Sequence, residues 1–176
     1  EEWRWNKPAN AMRSAIRCYD FDNAAERSLE AMTETELHSA LLHEIGEVEA
    51  GKLLGDDWED MLAAVSPSKA EIMLRAVRDN LADCLVTLPA LLQTTEPAAL
   101  HFYMGNMSNM RKALFPALVS AYDAWTAGGH TRELQAITSR AARHWQSLAL
   151  GLLEIFSRDG PDCRQALIGS IEHNTY

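Results

Sequence analysis

The chain has 176 residues, 47% of them apolar, and a formal net charge of −9. That is long enough for one domain with a buried core, and an acidic balance with no offsetting basic stripe excludes a general nucleic-acid binder. No run reaches the roughly 18 apolar residues of a membrane span, and three widely spaced cysteines, Cys18, Cys84 and Cys163, read as the reduced thiols of a cytoplasmic protein, not a disulfide framework.

Residues 1–10 carry Trp3, Trp5 and Pro8 without periodicity and are expected to form an arm lying on the body. The chain opens on Glu1 without a methionine, so an upstream piece is expected. Residues 11–19 make a short helix. Asp22 or Asn23 caps the next, with Glu26 closing a box on Asn23, and Ala25, Leu29 and Met32 supply its apolar side. Thr33 with Glu36 is a second capping box and opens a long helix that ends near Gly55. Leu37, Leu41, Ile45 and Val48 recur along it at helical spacing, which predicts a buried stripe. At about 100° per residue Glu44 falls beside Leu37 on that stripe, and Glu47 lies roughly 60° further round, at its edge. Two carboxylates at the edge of a core repel unless a cation or a base lies between them.

A short amphipathic piece, residues 58–65, follows as a connector. Ser66-Pro67 then opens a second long helix running to about Gln93. Its stripe is Met73, Leu74, Val77, Leu81, Cys84, Leu85, Leu88 and Leu91, and Pro89 is expected to kink its last turn. Asn80 and Asp83 sit on one edge of this stripe, with Asp79 directed away. If the two long helices lie antiparallel, as a short connection favours, their polar pairs face each other. Residues 95–104 read as a turn and a short helix. A third long helix carries Met107, Met110, Leu114, Leu118, Ala121, Tyr122 and Trp125, bends at Pro116 and breaks at Gly128-Gly129. Thr131 caps a fourth, with Leu134, Ile137, Ala141, Trp145, Leu148, Leu152 and Ile155 on one face. Asp159-Gly160-Pro161 ends it, and a last helix reaches Ile171. Nothing alternates as a strand would, so the expected fold is a single-domain all-α bundle of about seven helices, four of them long. Five tryptophans and these long stripes offer more apolar surface than one copy would cover, which points to a homodimer.

The candidate chemistry lies where the first two long helices face each other. Glu44, Glu47, Asn80 and Asp83, with His43 beside them, offer ligands suited to Mg²⁺ or Mn²⁺. A cation held there activates water for attack on phosphorus. Glu44, Glu47 and Asp83 would be the catalytic carboxylates, and Arg111 and Lys112 would steady the phosphates of a small-molecule substrate. The rival expectation is a non-catalytic interaction or scaffold protein, in which Glu44 and Glu47 pair with arginines. Arg75 and Arg78 are placed to pair with Glu71 or Asp79 along their own helix. His101, Met104, Met107 and Met110 have a spacing that could hold Cu(I), against which Met107 and Met110 fall on an apolar stripe.

HEIGEVEAG followed by VRDNLADCLVTL resembles the MazG-like all-α nucleoside triphosphate pyrophosphohydrolases, which carry EExxE on one helix and ExxD on a later one. The resemblance covers residues 37–92. It implies Mg²⁺ held on these acids and cleavage between the α and β phosphates of a nucleotide. Glu44 and Glu47 match the last two acids of the first motif, and Asp83 matches the Asp of the second. His43 and Asn80 stand where the family has Glu, which leaves room for a degenerate member. Two other metal readings stay open. ALLHEIGE is similar to the ALLHDIGK core of the HD-domain phosphohydrolases, with His43, Glu44 and Asp83 in the motif positions, though no histidine precedes His38. A carboxylate-bridged di-iron bundle would draw on His43 and Glu47, with His144 and Glu154 from the fourth long helix, although no Glu-x-x-His occurs.

Overall fold

The helices break where the chain carries residues that cannot continue them. The computed structural model describes residues 10–94 and 96–176. Most of the expected arm, with Trp3, Trp5 and Pro8, lies outside the described residues, as does Thr95. Helix α1 spans Ala11–Ile16, and Asn10 caps it by accepting from the Met12 N–H at 3.0 Å. Helix α2, Ala25–Leu54, runs unbroken through the two helices expected over this stretch. No Gly or Pro separates them. Thr33 is not a cap, since its hydroxyl donates to the Leu29 carbonyl one turn back at 2.8 Å. Asn23 bonds to Asp20 instead of capping. Gly55, at φ 71°, ends α2 in a conformation that glycine adopts without strain.

Helix α3 (Asp56–Val65) buries Trp58, Met61, Leu62 and Val65. Ser68, two residues later than expected, caps α4 (Lys69–Ala82) by accepting from the Glu71 N–H at 3.2 Å. A π-helical turn, Asp83–Thr87, then leads directly into α5 (Leu88–Leu91). Pro89 explains it: proline donates no hydrogen bond, and its ring clashes with the carbonyl four residues back. A widened turn relieves the clash, and the Leu88 N–H reaches back five residues to the Asp83 carbonyl. The expected kink is thus a local π turn, and it opens on Asp83.

Helix α6 spans Pro97–Asn106, α7 Asn109–Leu114 and α8 Pro116–Thr126, with Pro116 dividing the expected third helix in two. Helix α9 runs Thr131–Asp159, followed by a 3₁₀ turn at Gly160–Cys163 and by α10, Arg164–His173. The fold is an all-α bundle, with no strand among the described residues. Among those residues no helix is long and apolar enough to cross a membrane.

Helix α4 is the hub, touching α2, α3, α7, α9 and α10. Leu74, Val77 and Leu81 are sealed in a core shared with Leu134, Ala141, Trp145 and Leu152 of α9. Phe115 meets Trp145 edge-on at 5.5 Å between ring centroids. Helix α2 presents to this hub the face opposite the one its apolar stripe predicts. Leu37, Leu41, Ile45 and Val48 are exposed, at 68%, 56%, 43% and 57%. The inward residues are Ser39, His43, Gly46, Glu47, Ala50 and Leu54. Gly46 explains the choice: a Cβ there would lie 2.6 Å from the Ala82 carbonyl oxygen, so only glycine lets α2 approach α4 this closely.

Candidate functional site

The close approach at Gly46 brings one turn of α2 against one turn of α4. His43 and Glu47 project from α2, three residues before and one residue after the contact. Asp79 and Asp83, four residues apart, project towards them from α4 and the π turn. Asp83 has no exposed surface and accepts four hydrogen bonds. His43 Nδ1 donates to Oδ1 at 2.8 Å, and so does the Thr87 hydroxyl at 2.8 Å. The Tyr103 hydroxyl donates to Oδ2 at 2.8 Å, and the Arg111 guanidinium pairs with the same oxygen. Thr87 closes the π turn that Asp83 opens, so the deformation caused by Pro89 carries one of these four donors.

Arg111, in α7, is only 12% exposed, and its Nε donates to the Asn80 side-chain oxygen at 3.3 Å. Asn80 returns a bond of 3.5 Å from its amide to the Arg111 carbonyl. Burial lowers the pKa of Arg111, with Asp79 and Glu47 opposing the shift. Burial raises the Tyr103 phenol well above its ordinary range, so it stays a hydrogen-bond donor. Burial also raises Asp79, against the pull of Arg111, Arg78 and His43.

On the open side, His43 Nε2 lies 3.6 Å from Glu47 Oε1. His43, Glu47 and Asp79 each offer a ligand atom within 4.8 Å of the other two. Glu47 also accepts from Arg78 at 3.0 Å. Arg78 reaches Glu59 at 3.3 Å and Asp79 at 3.6 Å, so its partners lie on three helices, not only its own. Arg75 does pair with Glu71 within α4, at 3.0 Å. A cleft of about 210 Å³ opens beside His43, Asp83 and Arg111, and Glu36 and Asn106 also line it. Asn106 donates to one Glu36 oxygen at 2.7 Å, while the other is buried without a partner.

Of the residues expected here, His43, Glu47, Asn80, Asp83 and Arg111 converge. Glu44 does not: it is exposed on the far side of α2, with the apolar stripe. Lys112 is half-buried and makes no polar side-chain contact among the described residues. Asp79, expected to point away, faces the cluster. Tyr103, Thr87 and Arg78 join it without any sequence signal except the helical spacing of Asp83 and Thr87. The two distant alternatives find other partners. His144 bonds to the Asn174 carbonyl at 2.7 Å, against Tyr176. His101 bonds to the Tyr122 hydroxyl at 2.7 Å, and Met104 and Met107 are core residues.

No curated protein and no solved structure matches this chain. A family does match, over residues 1–174, described as a family of unknown function (DUF6866), C-terminal domain. The chain belongs to that family.

Proposed function

We propose that this domain is a divalent-metal-dependent phosphohydrolase, acting on a nucleotide-like phosphoanhydride, with its cation held by His43, Glu47 and Asp79. The observation that carries the reading is the orientation of His43. Its Nδ1–H is committed to Asp83, which leaves Nε2 directed at a carboxylate that it does not hydrogen-bond. A histidine whose far nitrogen donates to a buried carboxylate is the usual arrangement behind a metal-binding imidazole. Asp83, with four donors already, is then the group that orients His43 and not itself a ligand. One imidazole and two carboxylates suit Mn²⁺ better than Mg²⁺, which prefers an all-oxygen shell.

Such a cation supplies an activated water and charge neutralisation at phosphorus. The chain's own residues account for the rest. Arg111 is fixed by Asp83, Asn80 and Tyr103, so it presents positive charge to the cleft without reorganising. Asn80 orients Arg111, and Lys112 is the nearest further cation in sequence. A cytoplasmic setting belongs to the same reading, since Cys18, Cys84 and Cys163 are free thiols.

The test is thermal melting of the purified protein with Mn²⁺ or Mg²⁺, beside a nucleotide panel assayed for pyrophosphate release. The expected result is a cation-dependent rise in Tm that His43→Ala and Asp79→Asn abolish and Glu44→Gln leaves intact. No rise in Tm and no release from any nucleotide would sink the reading.

A second reading has its own observation. Arg78 on Glu47 and Arg111 on Asp83 satisfy the two inner carboxylates with no ion. The cluster would then hold together a non-catalytic interaction protein. In that case Glu47→Gln lowers stability equally with and without added cation.

A further inference from the structure

Helix α2 is 30 residues long, and its outward face is exposed among the described residues. Leu37, Leu41, Ile45 and Val48 lie on it, each at least 43% exposed. Four large apolar side chains along three turns form a continuous ridge, unlike the scattered apolar residues of an ordinary surface. Including the charged positions, the face runs Glu30, Glu34, Leu37, Leu41, Glu44 or Ile45, Val48 and Lys52. The steps are fours and threes averaging about 3.7 residues, so the face stays on one side of α2 and a second helix can lie along it at a shallow angle.

We infer that this face pairs with the same face of a second copy, antiparallel, about a two-fold axis at Leu41. The sequence of the face is self-complementary about that residue. Leu41 meets its own counterpart, and Leu37, four residues before, meets Ile45, four after. His38 and Glu44, three residues either side, lie at the same level on the two flanks of the seam. Glu30 and Lys52, eleven residues either side, bring opposite charges together at both ends. Glu34 falls opposite Val48, one turn from Lys52, so both glutamates at that end approach the lysine. A parallel pair would instead stack Glu30 on Glu30, Glu34 on Glu34 and Lys52 on Lys52. A two-fold contact of this kind closes on itself and produces a dimer, not a filament. Lys52 already touches Glu49 at 2.7 Å, but both side chains are largely exposed, and such a pair holds a lysine only weakly. Glu44 flanks this seam, on the opposite side of α2 from His43 and Asp83.

Sedimentation velocity and light scattering, from micromolar to hundreds of micromolar protein, read the oligomeric state directly. The expected result is a dimer that Leu41→Glu converts to a monomer with unchanged Tm at low concentration, since that side chain is 56% exposed on the outward face. Glu30→Lys turns two attractive pairs repulsive and should raise the dimer Kd about tenfold. The double variant Glu30→Lys/Lys52→Glu should restore it to within about threefold, a rescue that only the antiparallel register gives. A wild-type monomer throughout the range would overturn the inference and leave the face to a different partner. A dimer indifferent to Leu41→Glu, or a Glu30→Lys defect that Lys52→Glu deepens, would overturn it too.

Discussion

Asp83 has no lone pair to spare. Its two oxygens take a histidine, a threonine, a tyrosine and an arginine, Asp83 and Thr87 being fully buried and the other three partly so, and this sets what a substitution does. Asp83→Ala leaves the Arg111 guanidinium, 12% exposed, without its counter-charge. Stranding a buried charge in this way should lower the unfolding free energy by about 3–5 kcal/mol in urea titration. Asp83→Asn keeps the shape but can accept on only one side, so it should fall between that value and wild type. A loss under about 1 kcal/mol for the alanine variant would mean that the four contacts are not held in solution. His101 gives a second test at this scale. Burial against Tyr122 and Trp125 disfavours its charged form and lowers its pKa. The unfolded chain then binds the proton more readily than the native state. Stability is therefore full above the ordinary histidine value of about 6.5 and falls as pH drops through it. His101→Gln should flatten that part of the profile between about pH 7 and pH 5, read as Tm against pH.

At the scale of the element, α2 is decided by what is small on it. Its large apolar residues predict one buried face, and the opposite face is the buried one. The stripe of Leu37, Leu41, Ile45 and Val48 was legible as a stripe. Its destination was not, because periodicity shows that a helix has an apolar side without saying which surface that side meets. The signal for the inner face was Gly46 with Ala50 one turn on, a pair of small residues that lets a neighbouring backbone come close. Glu44 was misplaced for this reason, and so was Asp79, whose helix was aligned to the wrong side of its neighbour. Glu47 was legible at this site because it lies at the edge of the stripe, between the face expected inside and the face that is, whereas His43 meets Asp83 only because α2 is turned from the expected orientation. Tyr103 comes from α6 and only the folded packing brings it in, while Arg111 of α7 was expected at the site as a phosphate contact and not as the counter-charge of Asp83. Two glycines on α2 test this argument against each other. Gly51→Ala meets nothing within 4 Å, so it should stabilise by up to about 1 kcal/mol through helix propensity. Gly46→Ala makes the same gain in propensity but drives a Cβ into the Ala82 carbonyl. It should be destabilising on balance by about 1–3 kcal/mol and should weaken any cation response, because α2 must move off α4. Equal effects from the two substitutions would show that the approach at Gly46 is not close.

For the whole molecule, the question is which helix the others are built on. Composition and stripes predicted a bundle with four long helices and did not say which of them lies at its centre. Instead α4 sits in the middle, with α2 laid along it by a polar, small-residue face and α9 along it by a large apolar one. The two contacts differ in kind, and unfolding should report the difference. Leu81 of α4 has no exposed surface, and truncating it leaves a cavity in the packed core. Leu81→Ala should cost about 2–5 kcal/mol. Leu41 of α2 is 56% exposed and occupies an equally convincing position in its own stripe. At protein concentrations low enough to leave the molecule monomeric, Leu41→Ala should change stability by less than about 0.5 kcal/mol. Raising the concentration should then separate Leu41→Ala from wild type, because association adds stability only to the form whose ridge is intact. A large loss at Leu41 in the dilute monomer would place the ridge inside the bundle and turn α2 about its axis. That rotation would carry Glu44 inwards and His43 out, and the cluster around Asp83 would dissolve with it.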